Sequence, residues 1–397
     1  MQPIVAEEVG LSSMRLQRIT RVMQAAIDRR EIAGAVTLIA RHGKIAHCEA
    51  VGRQDIASGT PMRPDTIFRI YSMTKPITAV ATLLLYEEGH FLLDDPVAHF
   101  IPEFAEMKVF TRESATGIEV ADLERPITIR HLLLHTSGLP YDNVEGSPVK
   151  RLYAQAQIRG RDELLAEKAR RIAQLPLMHQ PGSGWTYGWS TDVLGRLVEV
   201  VSGQPFDSFL KERIFDPLAM VDTGFHVPAT QLGRLATVYG PGDQGDLQPD
   251  YRPELAYAEP PRYLSGGGGL VSTATDYARF CQMLLNGGKL DDERLLSRAT
   301  VALMLADHLP GQPRPFPPDF PVAAGYSMAL GGATLVDGAL AGLLSSKGSY
   351  EWGGAADTRF WIDRTEDLIG VFMIQLLPLS FRLPRLFNVL TYQALTD

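Results

Sequence analysis

Cysteine is nearly absent from this chain: Cys48 and Cys281 are the only two among 397 residues. Two thiols cannot build a disulfide framework or a four-cysteine metal site, and both sit in contexts that suit plain core thiols. Long apolar runs are also missing. The strongest, residues 77–86, is about half the length a membrane-spanning helix needs, so no membrane role is expected. Positive charge is in deficit, with 38 Lys and Arg against 46 Asp and Glu and a net charge of −8. A surface of that sign repels phosphate backbones, which excludes nucleic acid as an expected partner. The first residues, Met1-Gln2-Pro3-Ile4-Val5-Ala6-Glu7-Glu8, carry neither a basic region nor an apolar core. They do not read as a secretory signal, so the expectation is a chain starting near Met1 and working in the cytoplasm. Neither a fixed-period repeat nor a low-complexity tract stands out.

What is present is a globular balance of 45% hydrophobic and 21% charged residues, with 36 Gly and 27 Pro. That many turn formers suggest a loop-rich mixed fold. Leu16, Ile19, Met23 and Ile27 recur at helical spacing, and Gly34 is read as the end of that helix. Residues 35–41 and 44–51 flank the turn pair His42-Gly43 as a hairpin. A short strand over 66–71 leads directly into an apolar helix that stops at Gly89. From 91 to 257 the pattern is helical with Pro-containing loops and few convincing strands, including a charged helix over 161–173. Thr191-Asp192 opens another helix, closed by Gly203 and Pro205, and Thr275-Asp276 precede one ending at Gly287-Gly288. After Pro310 the runs 324–330, 343–350, 358–363 and 368–376 read as strands, and 386–395 as a helical tail. The organisation predicted is an α/β sheet domain from residues 1–90 and 258–397, interrupted by a mostly helical domain over 91–257, with the active site between them.

The most informative segment is Ser72-Met73-Thr74-Lys75-Pro76. Ser and Lys three apart share a helix face, and that spacing suits a nucleophile and its base. A buried lysine can accept a proton, and backbone N–H groups at a helix start can stabilise an oxyanion. The spacing itself is cheap. Ser147 and Lys150 repeat it in a Gly/Pro loop, read as having no helical register, and Ser208 and Lys211 repeat it on a solvated face. Only Ser72 stands where a strand gives way to an apolar helix; its competing reading is a plain helix cap.

Other motifs are weaker. His131-Leu132-Leu133-Leu134-His135 lacks the glutamate of a zinc protease and a third ligand, so it reads as a structural pair. Gly266 to Gly269 lack the spacing of a dinucleotide fingerprint, and Gly287-Gly288-Lys289 is followed by Leu290, not Ser or Thr. Gly325-Tyr326-Ser327-Met328-Ala329 approaches a nucleophile elbow but ends in Ala and reads as a strand.

Taken together, four stretches resemble the serine β-lactamase and penicillin-binding-protein superfamily, in the version seen in class C β-lactamases and family VIII carboxylesterases. Ser72-Met73-Thr74-Lys75 is similar to its first motif. Trp185-Thr186-Tyr187-Gly188-Trp189-Ser190 is similar to the tyrosine motif, Gly266-Gly267-Gly268-Gly269 to the glycine-rich turn, and Trp352-Gly353-Gly354 to the third motif, on an edge strand. The resemblance covers the chain from about Leu11 to its end. It implies a β-lactamase/transpeptidase-like fold, an antiparallel sheet flanked by helices with an inserted helical domain.

It also implies Ser72 as nucleophile, Lys75 as its proton partner and Tyr187 as a second acid/base group; the alternative for Tyr187 is an ordinary loop aromatic. The backbone N–H groups of Ser72 and Ala355 would form the oxyanion hole. Trp352, Gly353, Gly354, Trp189 and Tyr71 would contact substrate, with no metal and no organic cofactor.

Two departures bear on the substrate. Lactamases carry lysine where this chain has Trp352, and asparagine where it has Trp189. Both changes remove polar partners of an anionic β-lactam and favour neutral esters. Lys347 is the third-motif lysine in the alternative register. The register at Trp352 is preferred because a turn and the strand over 358–363 follow it, as in the family.

The expected function is therefore a serine carboxylesterase acting on short-chain or accessible neutral esters, with a small-molecule ester as partner. A β-lactamase or D-amino peptidase, an acyltransferase and a non-catalytic ligand-binding homologue are the rivals. A cytoplasmic chain suits an esterase better than a cell-wall peptidase. Oligomeric state is not legible.

Overall fold

The computed structural model describes residues 1–114, 117–142, 147–159, 162–242, 246–252, 256–309 and 324–397. Two sequence boundaries, Arg161 and Pro310, lie outside the described residues.

Helix α1 spans Ser13–Asp28. Ser12 caps it by accepting from the Arg15 N–H at 3.3 Å, and Leu16, Ile19, Met23 and Ala26 form its buried stripe. Gly34 does not end this helix, as expected, but opens strand β1 (Gly34–Arg41). A Cβ there would lie 2.6 Å from the Val51 carbonyl oxygen, so the residue is glycine because β2 (Lys44–Asp55) crosses so closely. His42 and Gly43 both have positive φ, the conformation of a two-residue hairpin turn.

Onward in the chain come β3 (Phe68–Arg69), α2 (Thr74–Glu87), β4 (Lys108–Ser114), β5 (Gly117–Asp122), α3 (Ser190–Ser202), β6 (Val271–Ser272) and α4 (Ala274–Leu285). The last stretch holds β7 (Tyr326–Ala329), β8 (Gly332–Leu335), β9 (Tyr350–Gly353), β10 (Arg359–Asp363), β11 (Leu368–Met373) and α5 (Arg382–Tyr392).

The main sheet has the order β2-β1-β11-β10-β9-β8-β7, antiparallel throughout, with Gln2–Pro3 added in parallel beside β2. Its first and last segments meet where β1 pairs with β11, Leu38 opposite Val371. Both faces are buried. Trp361 and Phe372 pack against Leu16 of α1 and Phe387 of α5, while Phe360, Ile362 and Val371 join the larger core that holds α2, α3 and α4. Strands covered on both sides read as unbroken apolar runs rather than alternations, which is how the sequence displays β10 and β11.

Several sequence readings are corrected. Residues 343–350 are not a strand: Gly338–Ala341 is a short helix, and extended structure resumes only at Tyr350. β8 went unread because Gly332 breaks its pattern; a Cβ there would meet the Tyr350 hydroxyl at 2.5 Å. β9 is not an edge strand but lies between β8 and β10. The region 91–257 includes the hairpin β4–β5, hidden in the sequence by its charged, largely exposed strands. Ser147 and Lys150 do have helical register. Pro148 occupies the first turn of a helix over Pro148–Gln155, and the Ser147 hydroxyl caps it by accepting from the Lys150 N–H.

Among the described residues no helix is long and apolar enough to cross a membrane, and no three His, Cys, Asp or Glu side chains gather as a metal cluster.

Candidate active site

The site begins with a turn. β3 pairs with β6, Arg69 opposite Val271, and the Ile70 N–H donates to the Leu270 carbonyl at 3.1 Å. The chain then tightens into one 3₁₀ turn over Tyr71–Met73 before α2 starts. Tyr71 has φ +43°, a left-handed conformation that costs a bulky residue on the order of 1–3 kcal/mol. Surrounding bonds hold it: the Tyr277 hydroxyl donates to the Met73 carbonyl at 2.8 Å, and the Leu270 N–H donates to Thr74 Oγ1 at 3.2 Å. Pro76 falls in the first turn of α2, where its missing N–H removes no helical bond.

This turn leaves Ser72 partly exposed with Lys75 almost wholly buried beneath it. Lys75 Nζ donates to Ser72 Oγ at 3.1 Å, and the Tyr187 hydroxyl donates to the same oxygen at 2.8 Å. The lysine also donates to the Gly267 carbonyl at 2.6 Å and to the Tyr141 hydroxyl at 3.3 Å, and its charge lies 4.6 Å from the Tyr187 ring centre.

Aromatic neighbours fix Tyr187. Trp185 stacks on it at 6.0 Å with planes 10° apart, while His135 and Trp352 flank it at 4.8 and 5.9 Å between centroids. Trp352 reaches this place from β9. The next turn is pressed against the loop that carries Ser72: a Cβ on Gly354 would lie 2.5 Å from the Ile70 carbonyl oxygen.

Ser72, Lys75, Tyr187 and Trp352 are thus brought together. Gly353 ends β9, and Ala355 lies in the turn after Gly354. Lys347 is exposed in the turn before β9. Trp189 is buried, edge-on to Tyr141 at 4.9 Å and beside the Lys168 ammonium at 5.4 Å. Tyr71 points its hydroxyl into the interior, where it has no partner among the described residues, and burial pushes that phenol up.

Sequence reasoning missed four residues here. Asp192, read only as a helix opener, is buried in the first turn of α3, where its Oδ1 accepts from the Ser265 hydroxyl at 2.6 Å, from the Gly267 N–H at 3.2 Å and from the Tyr263 hydroxyl. Burial, reinforced by the Asp192 charge, holds the Tyr141 and Tyr263 phenols well above their ordinary range. His135, read as half of a structural pair, is held well below its ordinary value by burial and then by the Lys75 charge. Nothing in the spacing of these residues announces the cluster.

A sheet flanked by helices, with a serine at a helix start hydrogen-bonded to a lysine and a tyrosine, defines a class: the serine hydrolases and acyltransferases of β-lactamase fold. The chain belongs to the beta-lactamase family, which it matches over residues 19–391. It is 34% identical to esterase EstB of Burkholderia gladioli over 367 residues, 87% of each chain. It is 32% identical to lovastatin esterase of Penicillium rubens, covering 89% of this chain and 91% of the relative. Among solved structures, EstCE1, described as a hydrolase with promiscuous acyltransferase activity, superposes with a TM-score of 0.79 at 29% identity, covering 96% of this chain and 99% of that one.

Proposed function

We propose that this protein is a serine carboxylesterase that hydrolyses short-chain or otherwise accessible neutral esters through a Ser72 acyl-enzyme. One observation carries the reading: Ser72 Oγ accepts hydrogen bonds from both Lys75 and Tyr187, with the uncharged Trp352 indole against Tyr187. The lysine, as an ammonium, spends its three N–H groups on Ser72, Tyr141 and Gly267 and keeps no lone pair for a proton. Tyr187 acts from its deprotonated form, in which the same 2.8 Å contact runs from the Ser72 hydroxyl to the tyrosine oxygen, and takes the Ser72 proton while Oγ attacks the ester carbonyl. Backbone N–H groups of Ser72 and Ala355 stabilise the oxyanion in this scheme. The Tyr187 hydroxyl returns the proton to the departing alcohol. Water, deprotonated by Tyr187, attacks the acyl-enzyme, and Ser72 leaves with its proton restored.

Trp352 supplies an apolar wall rather than a cation for a carboxylate, which favours neutral esters over anionic β-lactams. EstB and lovastatin esterase, both named as esterases, support the same direction. The acyltransferase activity named for EstCE1 favours a second reading, in which an alcohol replaces water in the last step.

The test is a panel of p-nitrophenyl esters run beside nitrocefin, with and without an acceptor alcohol. Ester turnover is expected to exceed nitrocefin turnover, and Ser72→Ala to lose about 10⁴-fold or more of it. Full ester turnover by Ser72→Ala would sink the proposal.

A further inference from the structure

A buried ammonium needs compensating charge, since desolvation without a partner costs several kcal/mol. The three direct partners of Lys75 are the Ser72 and Tyr141 hydroxyls and the Gly267 carbonyl, all uncharged when protonated. The carboxylate that touches this cluster is Asp192, itself 1% exposed. Both groups are tied to one residue: Asp192 Oδ1 accepts from the Gly267 N–H, and Lys75 donates to the Gly267 carbonyl. Gly267 has no slack between them. A Cβ there would stand 2.5 Å from Asp192 Oδ2 and 2.9 Å from the Tyr141 hydroxyl. Asp192 Oδ2 has no hydrogen-bond partner among the described residues, so the three donors to this carboxylate gather on Oδ1.

We propose that Asp192 is a positioning residue for Lys75, supplying the counter-charge of the buried ammonium and bracing, through Gly267, the carbonyl that aims it at Ser72. The proposal rests on the reading of Ser72 as nucleophile. The Tyr263 and Ser265 hydroxyls hold the carboxylate in place by donating to the same Oδ1.

Lys75 is met by Tyr141, Tyr187 and His135, the last kept neutral by burial. Asp192 is met by Tyr141, Tyr263 and, across the Tyr263 ring at 3.8 Å, the Lys168 ammonium. Lys168 has its own carboxylate, Glu163 at 3.1 Å, which it shares with the half-exposed Arg171. Among the described residues Lys75 has no direct ion pair with a carboxylate, and Asp192 is the carboxylate tied to it, through Gly267.

The test reads the rate at which a neutral aryl phosphonate modifies Ser72, as a function of pH, together with kcat and KM on a p-nitrophenyl ester. Asp192→Asn keeps the shape and removes the charge. It is expected to slow phosphonylation about tenfold or more at pH 8, and to leave ester KM within about twofold. Removing a buried negative charge makes the protons around it easier to lose. The whole pH–rate profile should therefore move to lower pH by about one unit. Tyr263→Phe keeps the charge and loosens the brace, so its rate should fall a few-fold with the profile in its wild-type position.

A folded Asp192→Asn protein whose profile does not move overturns the proposal, and so does a displaced profile in Tyr263→Phe. If Asp192→Asn does not fold, the Tyr263→Phe, Ser265→Ala double variant decides: a lowered kcat at constant KM supports the brace, and an unchanged kcat overturns it. Failure of the wild-type protein to be phosphonylated would remove the Ser72 reading itself. A labelled wild type with an unmoved Asp192→Asn profile would remove only the role given to Asp192.

Discussion

Single residues set how closely the parts of the site approach one another. Gly354 is the clearest case, because a Cβ there would stand 2.2 Å from Thr358 Oγ1 and 2.5 Å from the Ile70 carbonyl oxygen. The second contact is backbone, two residues before Ser72, and cannot swing aside. Gly354→Ala should therefore push the end of β9 away from the turn that carries Ser72. Displacements of about 1 Å at reacting groups cost up to about a hundredfold in rate, so kcat/KM on a p-nitrophenyl ester is expected to fall at least tenfold. Gly233→Ala is the control, since a Cβ there meets nothing within 4 Å. Equal kcat/KM in the two variants would show that β9 does not need this contact. At this scale part of the site is legible in the sequence and part is not. Ser72 and Lys75 lie one helical turn apart, so spacing alone can suggest them. Tyr141 and Asp192 reach the cluster through bonds spanning 66 residues to Lys75 and 71 to Tyr263, which no local pattern encodes.

Elements carry the site as rigid bodies, and the sheet is built to be covered on both faces. Trp361 on β10 lies directly across from Gly370 on β11, and its ring spreads over the space a side chain would take: a Cβ on Gly370 would stand 2.2 Å from Trp361 Cη2. The indole packs against Phe387 of α5 at 5.2 Å, on the face opposite α2. Gly370→Ala would force Trp361 out of this seam, and overpacking of that kind costs about 1–3 kcal/mol. The urea midpoint should drop accordingly, while ester kcat in the folded protein stays near wild type because the displaced ring faces away from Ser72. A loss of kcat larger than the loss of stability would show that the two faces are coupled. The same pairing explains what could be read beforehand. β10 and β11 are dense in β-formers and appear as apolar runs. β8, by contrast, opens with a glycine demanded by Tyr350 on the neighbouring strand, and the 343–350 segment is apolar enough at Leu343 and Leu344 to imitate a strand while belonging to a turn.

For the molecule as a whole, burial of histidine sets the response to acid. His47, His131, His135, His179 and His308 are all held below their ordinary value, with desolvation the leading cause in each, and His47, bonded to Thr37 Oγ1 at 2.8 Å, is lowered to about 4. A histidine depressed in the folded state binds fewer protons there than in the unfolded chain. Stability therefore falls as pH drops below about 6.5 and continues to fall until the folded-state value is reached. The limiting slope is about 1.4 kcal/mol per pH unit for each such group. Asp276 acts in the opposite sense. Its carboxyl is raised to about 6 by burial, so the folded state takes up that proton first and gains stability as pH falls below 6. Five histidines outweigh one aspartate, and the expected result is a urea midpoint that declines steadily from pH 7 to pH 5. His47→Gln preserves a side chain able to bond Thr37 and removes the titration, so it should flatten that decline by one histidine's share, about 2 kcal/mol between pH 6.5 and 5. A midpoint that rises on acidification, or a His47→Gln slope equal to that of the wild type, would mean that these imidazoles take up protons without leaving the folded state.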